Sequence, residues 1–402
     1  MTQRYQISVP IGDGATRRKT VIDENRDLIV DEIRLREFSD IGQDVRPSSP
    51  LFVAQPNLQG VDGGARGYIA GGCAAEGPTP STWGPGHYQA GSNSITSFPF
   101  ATPTNINVDV GDLINPSFAF GSGAQSPTHG YVAGGRQPIT PPNIYNNTIE
   151  KFALTTSANA TSVGTLAYRK FSHKGNSSST HGYSTGGSTS PFGSGTNNIE
   201  RFPFASDDNS VDVGDLFTAT RDHIGVSSQT HGYAVSGMDD DNVYFGINNI
   251  QKFPFASSVT TQDIGNLSNR VGGSGHQDVV AGASYGFVCG GLGPGPSPNP
   301  GLAGGPTSPG MIRRFSFVSD GDAVSIGDAD FFGDDHRNAL TGVSSPNKGY
   351  SIGGTRTEFK QDAVYFPFAA FNAPSTITSY AWIPITTMNY PRYIGAAVGT
   401  QV

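Results

Sequence analysis

The chain has 402 residues; Gly 54 and Pro 28 make up about a fifth of them, charged residues only 14% and hydrophobic ones 35%. Gly and Pro both weaken helix interiors, so this composition excludes a helical bundle or a doubly wound α/β fold. The lack of a strict Gly-X-Y period excludes collagen, and 10% aromatics with a net charge of −8 argue against simple disorder. What remains is an all-β class of short strands and tight turns: a sandwich, barrel or propeller. The acidic balance and the absence of Lys/Arg blocks predict no nucleic-acid partner. No apolar signal region opens the chain and no run of 18 apolar residues occurs, so a soluble, cytosol-made protein without membrane insertion is expected. Cys73 and Cys289 are too few for a disulfide framework or a zinc site and read as small buried residues.

Of the 58 charged residues, 17 fall in residues 1–60, a composition shift that marks a domain boundary. This first segment carries Arg17-Arg18-Lys19, and then Asp27–Phe38, whose apolar spacing fits either a helix or an alternating strand. Arg46-Pro-Ser-Ser-Pro50 reads as a linker. Sixty residues is short for an independent core. Residues 1–60 are therefore expected to be a docking appendage, and 61–402 the main domain.

Self-similarity dominates the rest of the chain. Gly-Tyr or Gly-Phe followed by small residues and a Gly recurs six times, placing Tyr68, Tyr131, Tyr183, Tyr233, Phe287 and Tyr350 at equivalent positions. A second strand-like unit follows each: Ile95–Phe98, Ile149–Phe152, Ile199–Phe202, Ile250–Phe253, Ile312–Phe315 and Ala363–Phe366. A third unit follows at Val110-Gly-Asp-Leu113, Val163-Gly-Thr-Leu166, Val213-Gly-Asp-Leu216, Ile264-Gly-Asn-Leu267 and Ile326-Gly-Asp-Ala329, and in decayed form at Ile377–Tyr380. Residues 61–402 divided among six copies give 57 residues apiece, close to the roughly 50 of a four-stranded propeller blade. One small twisted sheet cannot bury both faces, whereas a ring of them does. The Gly pair is expected to end a strand where backbones crowd near the axis, with the Phe residues filling the space between blades. A further strand precedes each Gly-Tyr except the first, and the last such strand, Arg392–Val398, has no Gly-Tyr after it. The spacing thus predicts six blades, with the C-terminal strand completing the blade that opens at Gly67.

The Gly-Gly strand ends, the aromatic strand that follows and the Arg ahead of the inner strand resemble kelch repeats. The wording Thr-His-Gly-Tyr, Phe-Pro-Phe-Ala and Val-Gly-Asp-Leu is similar to kelch-like virion structural proteins of tailed bacteriophages, of the marine cyanophage type. The resemblance covers roughly 61–402 and lacks the Trp late in each standard kelch repeat, since only Trp83 and Trp382 exist. It implies a six-bladed kelch-like β-propeller closed by N- and C-terminal strands, with a small N-terminal appendage. It also implies a non-enzymatic virion protein of tail, neck or capsid fibre or decoration type, made in the host cytoplasm and present in many copies or as a homo-oligomer. Its partners would be other virion proteins through residues 1–60 and a host cell-surface glycan or protein, with no cofactor. Two other readings stand beside it: a galactose-oxidase-like copper enzyme, for which neither Cys lies in a matching motif, and a bacterial kelch protein-interaction adaptor.

Candidate chemistry is sparse. His129, His181 and His231 each follow a Thr in the same motif and read as structural turn residues, because Arg66, Tyr285 and Lys348 replace them in other copies. His173, His223, His276 and His336 fall near the inner strands, where a central channel would gather them, but their unequal spacing disfavours a metal or catalytic role. The Asp of Val-Gly-Asp-Leu (Asp112, Asp215, Asp328) gives way to Thr165 and Asn266, which fits a turn that hydrogen-bonds its own backbone. The best candidate binding residues lie in loops after the Gly pair. The long ones are Cys73–Asn93, with Trp83, His87 and Tyr88, and the Pro- and Gly-rich Leu292–Met311. The acidic loop Asp239-Asp240-Asp241, with Tyr244, is a further candidate that lacks EF-hand spacing. Insertions gathered on one face of a rigid scaffold mark a binding face, and aromatics beside Gly and Pro suit sugar stacking or a protein contact.

Overall fold

A computed structural model describes residues 6–11, 15–20, 66–74, 93–100, 108–115, 121–137, 144–189, 195–238, 247–268, 274–278, 285–289, 311–328, 341–345, 348–352, 363–368, 383–385, 392–393 and 396–398. The chain divides into two compact units, Met1–Pro56 and Asn57–Val402. In the first, Gln6–Ile11 and Ala15–Thr20 form an antiparallel hairpin that pairs Gln6 with Thr20 and Ile11 with Ala15. Residues 27–38, compatible with helix or strand on sequence, lie outside the described residues.

The second unit is all-β. Among the described residues six successive sheets run along it, five of them four-stranded and one five-stranded. Sheet 2 shows the pattern: Ser122–Gln125, His129–Gln137, Ile144–Ala153 and Thr161–Thr165 pair in chain order, each antiparallel to the next. Sheets 3, 4 and 5 begin at Lys174–Ser177, Ile224–Ser227 and Ser274–Asp278, and sheet 6 at Thr341–Ser344. Sheet 1 draws its first strand from the other end of the chain, for Ala396–Val398 pairs with Arg66–Ala70, which pairs in turn with Ser94–Pro99. In sheet 3 the outer strand Val211–Thr220 gains a short parallel partner, Val259–Thr260, from the turn of sheet 4. The first strands pack on one another in succession, Ser122–Gln125 against Lys174–Ser177 and so on, and Ala396–Val398 packs against Ser122–Gln125.

The repeat residues explain the packing. Gly130 and Phe152 are cross-strand partners, and the Phe ring lies over the bare glycine, where a Cβ would come within 2.4 Å of the ring. The neighbouring aromatic, Tyr131, points the other way across the seam and stacks on Phe204 of sheet 3 with ring centroids 4.7 Å apart. The same contact joins Tyr183 to Phe255 at 4.9 Å, Tyr233 to Phe317 at 4.8 Å, Phe287 to Phe368 at 5.1 Å and Tyr350 to Phe100 at 5.0 Å. Tyr68 tilts onto Phe152 at 6.0 Å, because Leu154 stands where the second Phe would be. Its hydroxyl donates to the Leu154 carbonyl, as that of Tyr350 does to Phe100 at 3.1 Å. All six aromatics are buried. Burying a side chain of this kind contributes roughly 1.5–3 kcal/mol.

Crowding at the axis differs in detail from the expectation. Glycines in the middle of the first strands are in backbone-to-backbone contact as well as the Gly pairs, where a Cβ on Gly186 would fall 2.4 Å from the Thr220 carbonyl oxygen. A Cβ on Gly175 would fall 1.9 Å from the Gly123 carbonyl oxygen, and one on Gly225 would fall 2.5 Å from that of Gly175. Serines then stitch these strands together: Gln125 N–H donates to Ser177 Oγ at 3.0 Å and Ser177 N–H to Ser227 Oγ at 3.1 Å. Replacing Gly175 with Ala forces adjacent sheets apart, and urea unfolding is expected to show a loss of at least about 1–3 kcal/mol. A change below about 0.5 kcal/mol, the ordinary surface range, would contradict the close approach.

Candidate functional site

In a four-stranded meander alternate connections fall at opposite ends. One end of the sheets carries the constant turns. Ser126 Oγ accepts the N–H of His129 at 3.0 Å, the Ser126 N–H donates to the His129 carbonyl, and Thr128 Oγ1 lies 2.8 Å from His129 Nδ1. Ser178-Ser-Thr-His181 and Ser228-Gln-Thr-His231 repeat this turn, and Ser345 with Lys348 reproduces its Ser bonds. The three Thr-His pairs are thus parts of hairpin turns. The Asp of Val-Gly-Asp-Leu, however, does not cap its own turn. It lies in the outer strand, and its main-chain N–H binds the next sheet: Asp112 N–H donates to Asn159 Oδ1, as Thr165 does to Asn209 and Asn266 to Asp322. A contact made by the main chain explains why Asp, Thr and Asn interchange there. The side chain that closes on its own backbone is Asp109, two residues ahead of Gly111, matched by Asp212 and Asp263.

The opposite end carries the post-Gly-pair loops and the links between sheets. Trp83, His87, Tyr88, Asp239, Asp240, Asp241 and Tyr244, and nearly all of the two long loops, lie outside the described residues. Their roots are described. Arg221 and Met238 exchange backbone hydrogen bonds at 3.0 and 2.9 Å beneath the acidic loop, and Phe171 and Ser188 do so one sheet earlier. Three large apolar side chains are exposed where successive outer strands lead on to the next sheet: Ile114 at 52% and Tyr168 at 47% on links, and Phe217 at 66% in the last half of the outer strand Val211–Thr220.

A buried polar side chain fixes each of these links. It comes from the second position of the Ile-x-x-Phe strand in the following sheet, a position that sequence reasoning passed over. Glu150 accepts the Ile114 N–H at 2.8 Å and the Asn115 N–H and side-chain amide at 3.2 and 2.7 Å. Glu200 accepts the Ala167 N–H at 3.2 Å, the Ser210 hydroxyl and the Asn198 amide. Gln251 accepts the Thr218 N–H at 2.7 Å and donates to the Thr218 carbonyl at 3.2 Å. In sheet 5 Arg313 donates to Ser268 Oγ at 3.2 Å. Burial pushes the Glu150 carboxyl up, while its three hydrogen bonds pull it back. The signal was available: a long polar residue between Ile and Phe in a strand buried on both faces.

In sheet 3 this latch joins a buried titratable cluster. Lys170 and Glu200 are both fully buried, with Lys170 Nζ 3.5 Å from Glu200 Oε1, and burial pushes the lysine down to about 8 against the pull of the carboxylate. His173 and His223 are also fully buried. His173 Nδ1 lies 2.7 Å from Ser184 Oγ, and His223 Nε2 3.0 Å from Thr185 Oγ1. The Gly pairs make room for them. Gly134 and Gly187 flank His173, and Gly186 and Gly237 flank His223, all four at positive φ. Strain gathers here as well, since among the described residues the non-Gly ones with positive φ are Ser172, Asp222 and Ser236. His173 and His223 are thus wedges between sheets; the side chain of His276 and all of His336 lie outside the described residues. Cys289 is fully buried and that burial pushes its thiol far up, which keeps it in the protonated form of a packed core residue; the side chain of Cys73 lies outside the described residues. Among the described residues no three His, Cys, Asp or Glu side chains are grouped to hold a metal, and no helix is long and apolar enough to cross a membrane.

No family model matches the chain, and no curated protein matches it. Among solved structures it is similar to one titled "Structure of YjhT", with a TM-score of 0.53 and 11% identity over 74% of this chain and 95% of that one. At that identity the likeness concerns fold alone, and with the sheet order above it gives an all-β, propeller-like architecture.

Removing Glu200 isolates a buried ammonium. Glu200→Ala is expected to cost about 3–5 kcal/mol in chemical unfolding. Lys170→Met combined with Glu200→Gln is expected to lose clearly less, which a double-mutant cycle reads directly.

Proposed function

We propose that the chain is a non-enzymatic structural protein of a tailed-phage virion. Its second unit is a six-bladed kelch-like propeller in which Ala396–Val398 completes the first blade. Its first unit docks the propeller to another virion protein. The observation that carries the binding role is the triad of exposed side chains Ile114, Tyr168 and Phe217, on links and an outer strand held rigid by Glu150, Glu200 and Gln251. Exposed apolar groups on a pre-ordered backbone lose little conformational entropy on contact, which suits a sugar face or a flat protein surface. The succession of aromatic seams from Tyr68 round to Tyr350 on Phe100 supports six blades, because each sheet then has a neighbour on both faces. The resemblance of the repeat wording to phage virion proteins supports the virion setting.

Two measurements test this reading. Mass spectrometry of purified particles is expected to find the chain, and its absence from them would overturn the virion role. On arrays of host-surface glycans and in pull-downs with virion proteins, Phe217→Ala and Tyr168→Ala are expected to lower binding about tenfold or more while leaving stability within about 0.5 kcal/mol. Unchanged binding by both variants would move the contact surface away from these links.

A further inference from the structure

The two histidine wedges have a consequence that the binding role does not use. His173 seals the seam between sheets 2 and 3, and His223 the seam between sheets 3 and 4. Each ring spends one nitrogen on a hydroxyl of sheet 3, Ser184 or Thr185. The other nitrogen of each, Nε2 of His173 and Nδ1 of His223, is buried without a hydrogen-bond partner and faces the α-carbon of Gly134 or Gly186. A bare imidazole nitrogen tolerates that place. An imidazolium does not, because it puts an N–H and a positive charge at a fully buried position where the nitrogen has no hydrogen-bond partner.

The charged neighbours reinforce this. Lys170 from the preceding link and Lys174 at the head of the first strand both act on the two rings with like charge, and His223 further disfavours charge on His173. The acidic groups are already engaged with the lysines: Glu200 and, at longer range, Asp212 with Lys170, and Asp222 with Lys174. Burial is the foremost cause that lowers both histidines, His223 to about 3. A histidine whose folded pKa lies below its unfolded value of about 6.5 supports the fold above that pH. It withdraws that support as pH falls from there toward the folded value. Each such histidine favours the open form by about tenfold per pH unit in that window. At the equivalent place ahead of sheet 2 stands Gly121, so no such wedge enters there.

We propose that the seams on either side of sheet 3 are an acid-operated release, opened by protonation of His173 and His223 while the aromatic seams elsewhere stay shut. Mild acid would then loosen one sector of the ring at the end that carries the binding links, rather than unfold the molecule as a whole.

Hydrogen–deuterium exchange of the full chain at pH 7.5 and pH 5, normalised for the intrinsic exchange rate, tests this. Peptides covering 174–185 and 224–237 are expected to lose protection by about tenfold or more at pH 5. Peptides covering 94–99 and 311–316 are expected to hold theirs. His173→Asn with His223→Gln, which keep the nitrogen facing each hydroxyl, are expected to abolish the difference. The wild-type profile decides the matter even if that variant fails to fold. An even loss of protection across all sheets, or no loss in 174–185 at pH 5, would overturn the proposal.

Discussion

The second unit depends on one contact, the aromatic of each Gly-Tyr or Gly-Phe laid on the Phe-x-Phe segment of the next sheet, or on Phe152-Ala-Leu154 in the case of Tyr68. A four-stranded sheet of this size has two apolar faces and cannot cover either by itself. Tyr131 reaches out of its own sheet and is buried only because Phe202 and Phe204 of sheet 3 receive it. The hydrophobic clusters accordingly run across seams rather than within sheets. Ala124, Tyr131, Ala133 and Ile149 of sheet 2 share a cluster with Phe202 of sheet 3. Stability is therefore a property of adjacent pairs, and each sheet needs two neighbours.

Apolar stacking alone leaves the rotation of one sheet on the next loosely specified, and polar contacts supply what it lacks. Glu150, Glu200, Gln251 and Arg313 come from one strand position, yet they use different chemistry to reach the link leaving the previous sheet. What is kept is a long polar side chain at that point and an unpaired backbone or hydroxyl group opposite it. A buried Glu or Arg would be costly without those partners. With them it anchors the chain where it passes between sheets, next to the residues that face solvent. Rigidity at the end that carries the links thus comes from inside the seams.

The repeat was legible because its residues do one job each in a fixed register. Gly130 against Phe152 and Tyr131 against Phe204 follow from the Gly-Tyr and Phe-Pro-Phe wording once a ring is assumed. The pairing of Ala396–Val398 with Arg66–Ala70 was legible for a similar reason, since the last copy of the inner strand had no Gly-Tyr of its own. The latch was not read, because Glu, Gln and Arg share no residue type, and their equivalence shows only when their partners are seen. The buried histidines were misjudged for another reason. Proximity to the inner strands suggested a shared channel, whereas the rings of His173 and His223 lie between sheets, against glycines of the neighbouring ones.

Glycine is the residue through which scaffold and candidate site separate. In the first strands it lets backbones touch; ahead of the aromatic it makes room for a Phe ring; in the pair it takes a left-handed turn and makes room for a histidine. Each role is local steric relief for a specific neighbour, so its periodicity follows that neighbour. Where the neighbour is the Phe, present in every sheet, the glycine ahead of the aromatic is present in every copy. The Gly pair also recurs away from the two histidine seams, as at Gly71-Gly72, because its left-handed backbone is a demand of its own, and in sheet 4 Ser236 meets that demand with a strained non-glycine residue. The seams are therefore built on one plan but are not equivalent in chemistry. The two that flank sheet 3 hold the Lys170–Glu200 pair and both fully buried histidines, whereas Glu150 lies at the seam before sheet 2 and Arg313 at the seam before sheet 5.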